Sequence, residues 1–180
     1  MKRPVLVPIL LAYFAMALSA SAQVVPSATG SRSSLSAGGL VLAVEPDYAG
    51  GVTAEASPNR LIGVGGFVDY RMSRWVQLEA EGRWMHWNQY LGINENTYAL
   101  GMREPIHTYG SLTPYGKAMM GFGTGSFLAG RAALYAFGGG ADYRLKKRLF
   151  LRADFDCQYW RVTPTLHPYA TSIGLSYRIF

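Results

Sequence analysis

Over most of the chain, apolar and polar positions alternate at period two, the spacing of a β-strand with two different faces. The clearest stretch is Trp75 to Met85. Val76, Leu78, Ala80, Gly82 and Trp84 fall on one face, and Gln77, Glu79, Glu81 and Arg83 on the other. Leu149 to Trp160 repeats the design, with Leu149, Leu151, Ala153, Phe155, Cys157 and Tyr159 opposite Arg152, Asp154, Asp156 and Gln158. A helix would scatter these charges around its circumference, so the period selects strand.

Further segments carry the same signal. Arg60 to Tyr70 sets Ile62, Val64, Val68 and Tyr70 against Gly63, Gly65 and Asp69. Asn96 to His107 sets Tyr98, Leu100 and Met102 against Arg103. Leu112 to Phe122 groups Lys117 with Tyr115 and Met119, away from Gly116, Ala118, Met120 and Phe122. Leu134 to Tyr143 opposes Tyr135, Phe137, Gly139, Ala141 and Tyr143 to Gly138, Gly140 and Asp142. Ser172 to Phe180 opposes Ile173, Leu175, Tyr177 and Ile179 to Ser172, Gly174, Ser176 and Arg178. Leu35 to Glu45 is too uniformly apolar for its faces to be assigned.

The pattern predicts an all-β fold of eight antiparallel strands, each about ten residues, the length a tilted strand needs to cross a bilayer. Short links (Arg71 to Arg74, Thr108 to Ser111, Arg144 to Arg148) alternate with longer ones (Pro46 to Asn59, His86 to Glu95, Gly123 to Arg131, Arg161 to Pro168). Short periplasmic turns and longer extracellular loops are the wiring of bacterial outer-membrane barrels. Hydrocarbon offers no partner for an open strand edge, so such a sheet closes on itself as an up-and-down barrel. The nearest approach to a membrane helix, Ala118 to Ala141, is broken by Thr, Ser and Arg131 and is rich in glycine. A water-soluble barrel of lipocalin type is the alternative and requires the apolar faces to point inward.

With apolar faces outward, Asp69, Glu79, Glu81, Asp142, Asp154 and Asp156 line the lumen with Arg71, Arg83, Arg103, Lys117, Arg144, Arg152 and Arg178, though Arg71 and Arg144 sit where turns begin. An eight-stranded barrel is nearly filled by side chains, and isolated charges there are costly, so a salt-bridged plug is expected. A narrow ion pathway or gate is the alternative. Leu151 is expected to face lipid near mid-bilayer, where an Arg substitution costs roughly 2–4 kcal/mol.

The N-terminus sets the compartment. Lys2 and Arg3 precede an uncharged apolar run, Pro4 to Leu18, and Ala20-Ser21-Ala22 closes it. That is the layout of a cleaved export signal over residues 1–22, followed by a polar leader over 23–33 and a barrel over 34–180. Without the signal, 15 Lys+Arg face 11 Asp+Glu, a net +4. No basic run accompanies this charge, so no nucleic-acid partner is expected. Only 16% of residues are charged, against about 25% in soluble domains. Aromatics (Tyr70, Trp75, Trp84, Trp87, Tyr90, Tyr98, Tyr135, Tyr143, Tyr159, Trp160, Tyr177) cluster near the predicted strand ends, where two interfacial girdles place them.

Candidate chemistry is sparse. Cys157 is the single cysteine, so no intramolecular disulfide forms. His86 and His167 fall on the longer-loop side and His107 on the other, and Ser172 follows His167 without a recognisable nucleophile motif. A lipid A-modifying enzyme is therefore a remote alternative, and no catalytic residues are assigned. Three scattered histidines lack metal-ligand spacing. Gly63-Val64-Gly65-Gly66 and Gly121-Phe122-Gly123-Thr124-Gly125 lack the strand-turn-helix setting of a dinucleotide site. No metal or cofactor is expected.

Three stretches carry a resemblance: Thr113-Pro114-Tyr115; Gly138-Gly139-Gly140-Ala141-Asp142-Tyr143-Arg144 running towards Arg152-Ala153-Asp154; and the terminal Gly174-Leu175-Ser176-Tyr177-Arg178-Ile179-Phe180. Over roughly Ser34 to Phe180 the chain resembles the small outer-membrane β-barrel proteins of the OmpA/OmpX type. The resemblance implies a bacterial outer-membrane location, a structural or surface-interaction role, and contact with outer-membrane lipids and lipopolysaccharide. It also implies periplasmic chaperones and a barrel-assembly machinery that reads the last strand through Tyr177, Ile179 and Phe180. Relatives typically end Tyr-x-Phe, whereas Ile179 here sets Tyr177 and Phe180 on opposite faces. The chain is expected to be a monomer and to lack the peptidoglycan-binding domain of some OmpA relatives.

Overall fold

A computed structural model describes residues 33–45, 61–73, 75–87, 92–126, 128–163 and 165–180. The predicted signal peptide, most of the leader, the Pro46–Asn59 link and Tyr90 lie outside them. Eight strands follow one another: β1 (Ser34–Glu45), β2 (Leu61–Arg71), β3 (Gln77–Trp87), β4 (Glu95–Pro105), β5 (Leu112–Gly125), β6 (Arg131–Arg144), β7 (Leu149–Arg161) and β8 (Tyr169–Arg178). Each pairs antiparallel with its neighbours in sequence, and β8 returns to β1 (Ser36 opposite Arg178, Glu45 opposite Tyr169) to close the barrel. Every strand thereby has two partners, which is what a sheet without water at its edges requires.

The alternation settles the faces. Val41, Ile62, Val64, Val68, Leu78, Leu100, Met120, Phe137, Phe155 and Ile173 are exposed, while Asp69, Glu79, Glu81, Arg83, Arg103, Lys117, Arg152, Asp154 and Asp156 are buried inside. This is the inverse of a water-soluble lipocalin. In β1, where the sequence leaves the faces open, Leu40, Leu42 and Val44 point inward and Val41 outward. Two aromatic rims flank the belt. Tyr70, Trp75, Tyr109, Tyr143 and Tyr177 ring the end where β2–β3, β4–β5 and β6–β7 connect, called here the turn end. Trp84, Trp87, Tyr98, Tyr159 and Tyr169 ring the opposite, loop end.

Four expectations change. Trp160 does not join a rim: it is only 1% exposed and points into the barrel, packed with Ala132, Leu134 and Leu166. Its odd-even position on β7 matches Asp156 and Gln158 rather than Tyr159, so the period outweighs the aromatic preference for an interface. Arg144 is exposed at the β6–β7 turn rather than lining the lumen. The predicted long link from Gly123 shrinks to residues 126–130, because β5 and β6 extend above the belt. Leu151 is the third residue of β7 and sits between Tyr143 and Leu175, near the turn-end rim and away from mid-bilayer.

The inside of the barrel is divided along its axis. Charged side chains occupy mainly the turn-end part, although Glu95 is buried at the other end. The loop end is filled by Leu42, Val44, Leu61, Met85 and Ala170 on one wall and by the Trp160 cluster on the other. Glycine makes one of these packings possible: a Cβ on Gly123 would overlap the Trp160 indole.

Candidate functional site

The lumen is where this chain concentrates its polar chemistry, and its residues arrive by simple register. Successive inward positions of β3 are Gln77, Glu79, Glu81 and Arg83, and those of β7 are Arg152, Asp154, Asp156 and Gln158. Their neighbours across the ladder are often glycine: Gly101 opposite Glu79, Gly140 opposite Asp154, Gly138 opposite Asp156. These glycines clear room for long side chains. A Cβ on Gly140 would lie 2.7 Å from the Tyr115 hydroxyl and 2.9 Å from Asp154 Oδ1.

Two linked clusters result. Nearer the turn end, Arg152 donates from Nη2 to Asp69 at 2.5 Å, from Nη1 to Glu79 at 2.9 Å and from Nε to Asp142 at 3.2 Å. Arg103 shares Asp69, at 3.2 Å, and also bonds Asp142. Aromatic faces complete the desolvated guanidinium environment, with Arg103 3.5 Å from the Tyr115 centroid and Arg152 3.8 Å from that of Phe67. Deeper in, Arg83 bridges Glu81 and Asp156, the latter at 2.5 Å. Lys117 sits between the clusters, its Nζ 3.8 Å from Glu79, 3.5 Å from Glu81, 3.5 Å from Asp154 and 3.6 Å from Asp156. The Tyr115 hydroxyl donates to Asp154. Each ion carries a desolvation cost of several kcal/mol, offset only when pairing and hydrogen bonds are nearly complete.

The charge is unevenly spread. Around Lys117 and Arg83 stand four carboxylates, Glu79, Glu81, Asp154 and Asp156. Towards the turn end the balance reverses, with Arg71, Arg103, Arg152 and Arg178 lining the mouth beside Asp69 and Asp142. Arg178 forms no ion pair with these acids; its guanidinium lies 4.7 Å from the Phe150 ring centroid.

Of the site residues expected from sequence, Asp69, Glu79, Glu81, Arg83, Arg103, Lys117, Asp142, Arg152, Asp154 and Asp156 fall in these clusters, and Arg178 stands apart at the mouth. Tyr177 and Phe180 are both exposed at the turn end, and Ile179 still donates its amide to Leu35 beyond the end of β8. Sequence reasoning missed Glu95, which is 2% exposed at the loop end. The sequence pattern places it at the end of a link, and only the start of β4 at Glu95 puts it in phase with Thr97 and Arg103.

The three histidines are scattered over the barrel. His86 bonds Asn96 at 2.8 Å on the loop rim. His167 packs its ring 5.2 Å from that of Tyr159, on the outside. Ser172 Oγ instead reaches Asp154 at 3.5 Å, within the lumen. His107 stacks edgewise on Tyr109 at the turn end. Among the described residues no group of His, Cys, Asp and Glu is arranged to hold a metal ion.

Comparisons with known proteins follow the same line. The sequence profile of the family described as "Outer membrane protein beta-barrel domain" matches residues 10–178. Among curated proteins no sequence relative matches. Among solved structures, Neisserial surface protein A aligns with TM-score 0.58 and 12% identity, over 81% of this chain and 96% of that one. The N-terminal β-barrel domain of Pseudomonas aeruginosa OprF gives 0.55 and 17%, over 82% and 100%. The outer membrane protein OprG of the same organism gives 0.52 and 13%, over 83% and 97%. At these identities the likeness is one of fold.

Proposed function

The chain belongs to the outer membrane protein beta-barrel domain family and is an integral protein of the bacterial outer membrane, and from that premise we propose that it serves as a structural, surface-interacting barrel whose lumen is plugged. One observation carries this reading: Arg152 and Lys117 each bond carboxylates from several walls, below a loop end filled by Trp160, Leu134, Leu42 and Met85. An ion crossing the barrel meets a packed constriction and then a bonded network, and each opposes conduction. The loop-end connections 88–94, 126–130 and 162–168 are short, so contact with an exterior partner rests mainly on residues 46–60. Outward apolar side chains face lipid and the lipopolysaccharide leaflet. The barrel acts as a monomer, delivered by chaperones and inserted by assembly machinery that engages β8.

Purified barrel in a planar bilayer tests the plug. No steady current is expected; a reproducible ohmic conductance overturns it and favours the second reading, a narrow conduit. What favours that reading is Lys117, which has four carboxylates within 3.8 Å and therefore alternative partners to move between.

A further inference from the structure

We propose that the outer wall of the barrel over β2 to β5 seats one acyl chain of lipopolysaccharide, with Arg131 at a phosphate of the same lipid. The proposal rests on the barrel spanning the outer membrane with its loop end outward, and adds a site to that reading. A groove of about 560 Å³ lies on this wall. Gly66 and Gly82, paired across the β2–β3 ladder and each sixth of eleven residues in its strand, form the floor at the centre of the belt. Leu100 and Met120, each 60% exposed, stand up beside it.

The fold itself does not require Gly66. Positive φ among the described glycines is confined to Gly92 and Gly110, and a Cβ on Gly66 would meet only the Gly38 carbonyl oxygen, at an ordinary 3.6 Å. Glycine inside a strand weakens it and often marks where another group approaches the backbone closely. On this wall that group comes from the bilayer. The loop-end side of the groove is a fixed aromatic shelf. Trp84 Nε1 donates to the Tyr98 hydroxyl at 3.0 Å, and the Tyr98 and Phe122 rings pack with centroids 5.3 Å apart. The first two rings lie beside the floor, since a Cβ on Gly82 would come 3.4 Å from Trp84 and 3.5 Å from Tyr98.

Shape and charge together select the occupant. Leu100 and Met120 hold the wall of a second barrel off the glycine floor, whereas one unbranched chain fits beside them and gains dispersion contacts along its length. Arg131, exposed at the start of β6, holds its guanidinium 4.9 Å from the Phe122 ring centroid, so a cation stands over the loop-end rim of the groove. A phosphate at that height meets a guanidinium fork while its chain reaches the floor below. A phospholipid of the opposite leaflet would carry its phosphate at the turn end, far from Arg131. The exterior leaflet supplies the phosphorylated glycolipid.

Barrel in phosphatidylcholine nanodiscs is doped with increasing lipid A while the Met120 methyl and Trp84 indole N–H resonances are followed by NMR. Saturable shifts are expected. They should be about tenfold weaker with lipid A stripped of its phosphates, and likewise in Arg131→Gln, as the loss of a charge-assisted contact predicts. Gly66→Leu fills the floor and is expected to abolish saturation. Gly116→Leu, whose Cβ would meet one atom at 4.0 Å and which lies outside the groove, should keep it. Each variant is first shown to fold by its mobility shift between unboiled and boiled samples. A wild-type barrel that shows no such shift would strike at the membrane placement and not at the groove. With folded protein, shifts that grow linearly with lipid A mean annular contact only and overturn the proposal. Unchanged binding in Gly66→Leu, or equal saturation by phosphatidylglycerol, overturns it as well.

Discussion

Arg152 on β7 reaches across the barrel to Asp69 on β2, Nη2 to Oδ2 at 2.5 Å, and so ties together two strands that share no ladder. The same guanidinium holds Glu79 and Asp142. Removing it strands acids in a dry interior, where an uncompensated charge costs about 3–5 kcal/mol. Arg152→Met is expected to lower the urea unfolding free energy in lipid vesicles by that amount. Arg152→Met with Asp69→Leu restores the charge balance and is expected to recover part of the loss, and a double-mutant cycle reads the coupling. A loss below about 1 kcal/mol for Arg152→Met would mean that the network is solvated.

The belt makes a depth-dependent prediction. Leu100 is 60% exposed at the centre of β4, whereas Leu151 lies two residues from the turn-end start of β7 beside Tyr143. Leu100→Arg is expected to cost roughly 2–4 kcal/mol and Leu151→Arg about 0–1 kcal/mol, because the penalty falls from midplane to interface. Equal costs at the two positions would misplace the bilayer on the barrel.

Much of this was legible in the sequence because a barrel wall obeys a strict local rule. Glu79, Glu81 and Arg83 alternate with Leu78, Ala80 and Gly82, and a single phase error would turn every charge into lipid. What stayed hidden depends on contacts the period does not encode. In β1 both faces are apolar, because Leu40, Leu42 and Val44 fill the loop end inside while Val41 meets lipid outside. Glu95 was missed because strand ends are set by pairing, here Glu95 opposite Gly125, rather than by composition. The pairing of particular ions was invisible for the same reason: Arg83 and Asp156 are 73 positions apart.

Trp160 and Gly123 are fitted to each other. The indole stacks where Gly123 has no side chain, while its Nε1 donates to Gln158 at 2.9 Å. Gly123→Val raises β-propensity, yet the new side chain overlaps a ring held in a buried cluster, and overpacking typically costs about 1–3 kcal/mol. Destabilisation in that range is expected, with an altered near-ultraviolet dichroism band for the displaced indole. Gly130→Ala is the control, since an added Cβ there meets nothing within 4 Å, and it should change stability by under about 0.5 kcal/mol. A stabilised Gly123→Val would show that the loop end has spare volume.

Cys157 reports on the outer face. It is exposed on the outside of β7, between Phe137 and Tyr169, and its inward neighbours Asp156 and Gln158 belong to the lumen network. In vesicles this thiol sits on the lipid face just inside the loop-end rim, where a charged maleimide that reaches it must leave water at a large desolvation cost. Folded protein is therefore expected to resist a charged maleimide and to react once urea unfolds it. An uncharged, lipid-soluble maleimide should label the folded barrel, separating shielding by lipid from burial in protein. Rapid labelling of the folded barrel by the charged reagent would place Cys157 in water, and the wall around Phe137 and Tyr169 would then have to face an aqueous phase instead of the bilayer.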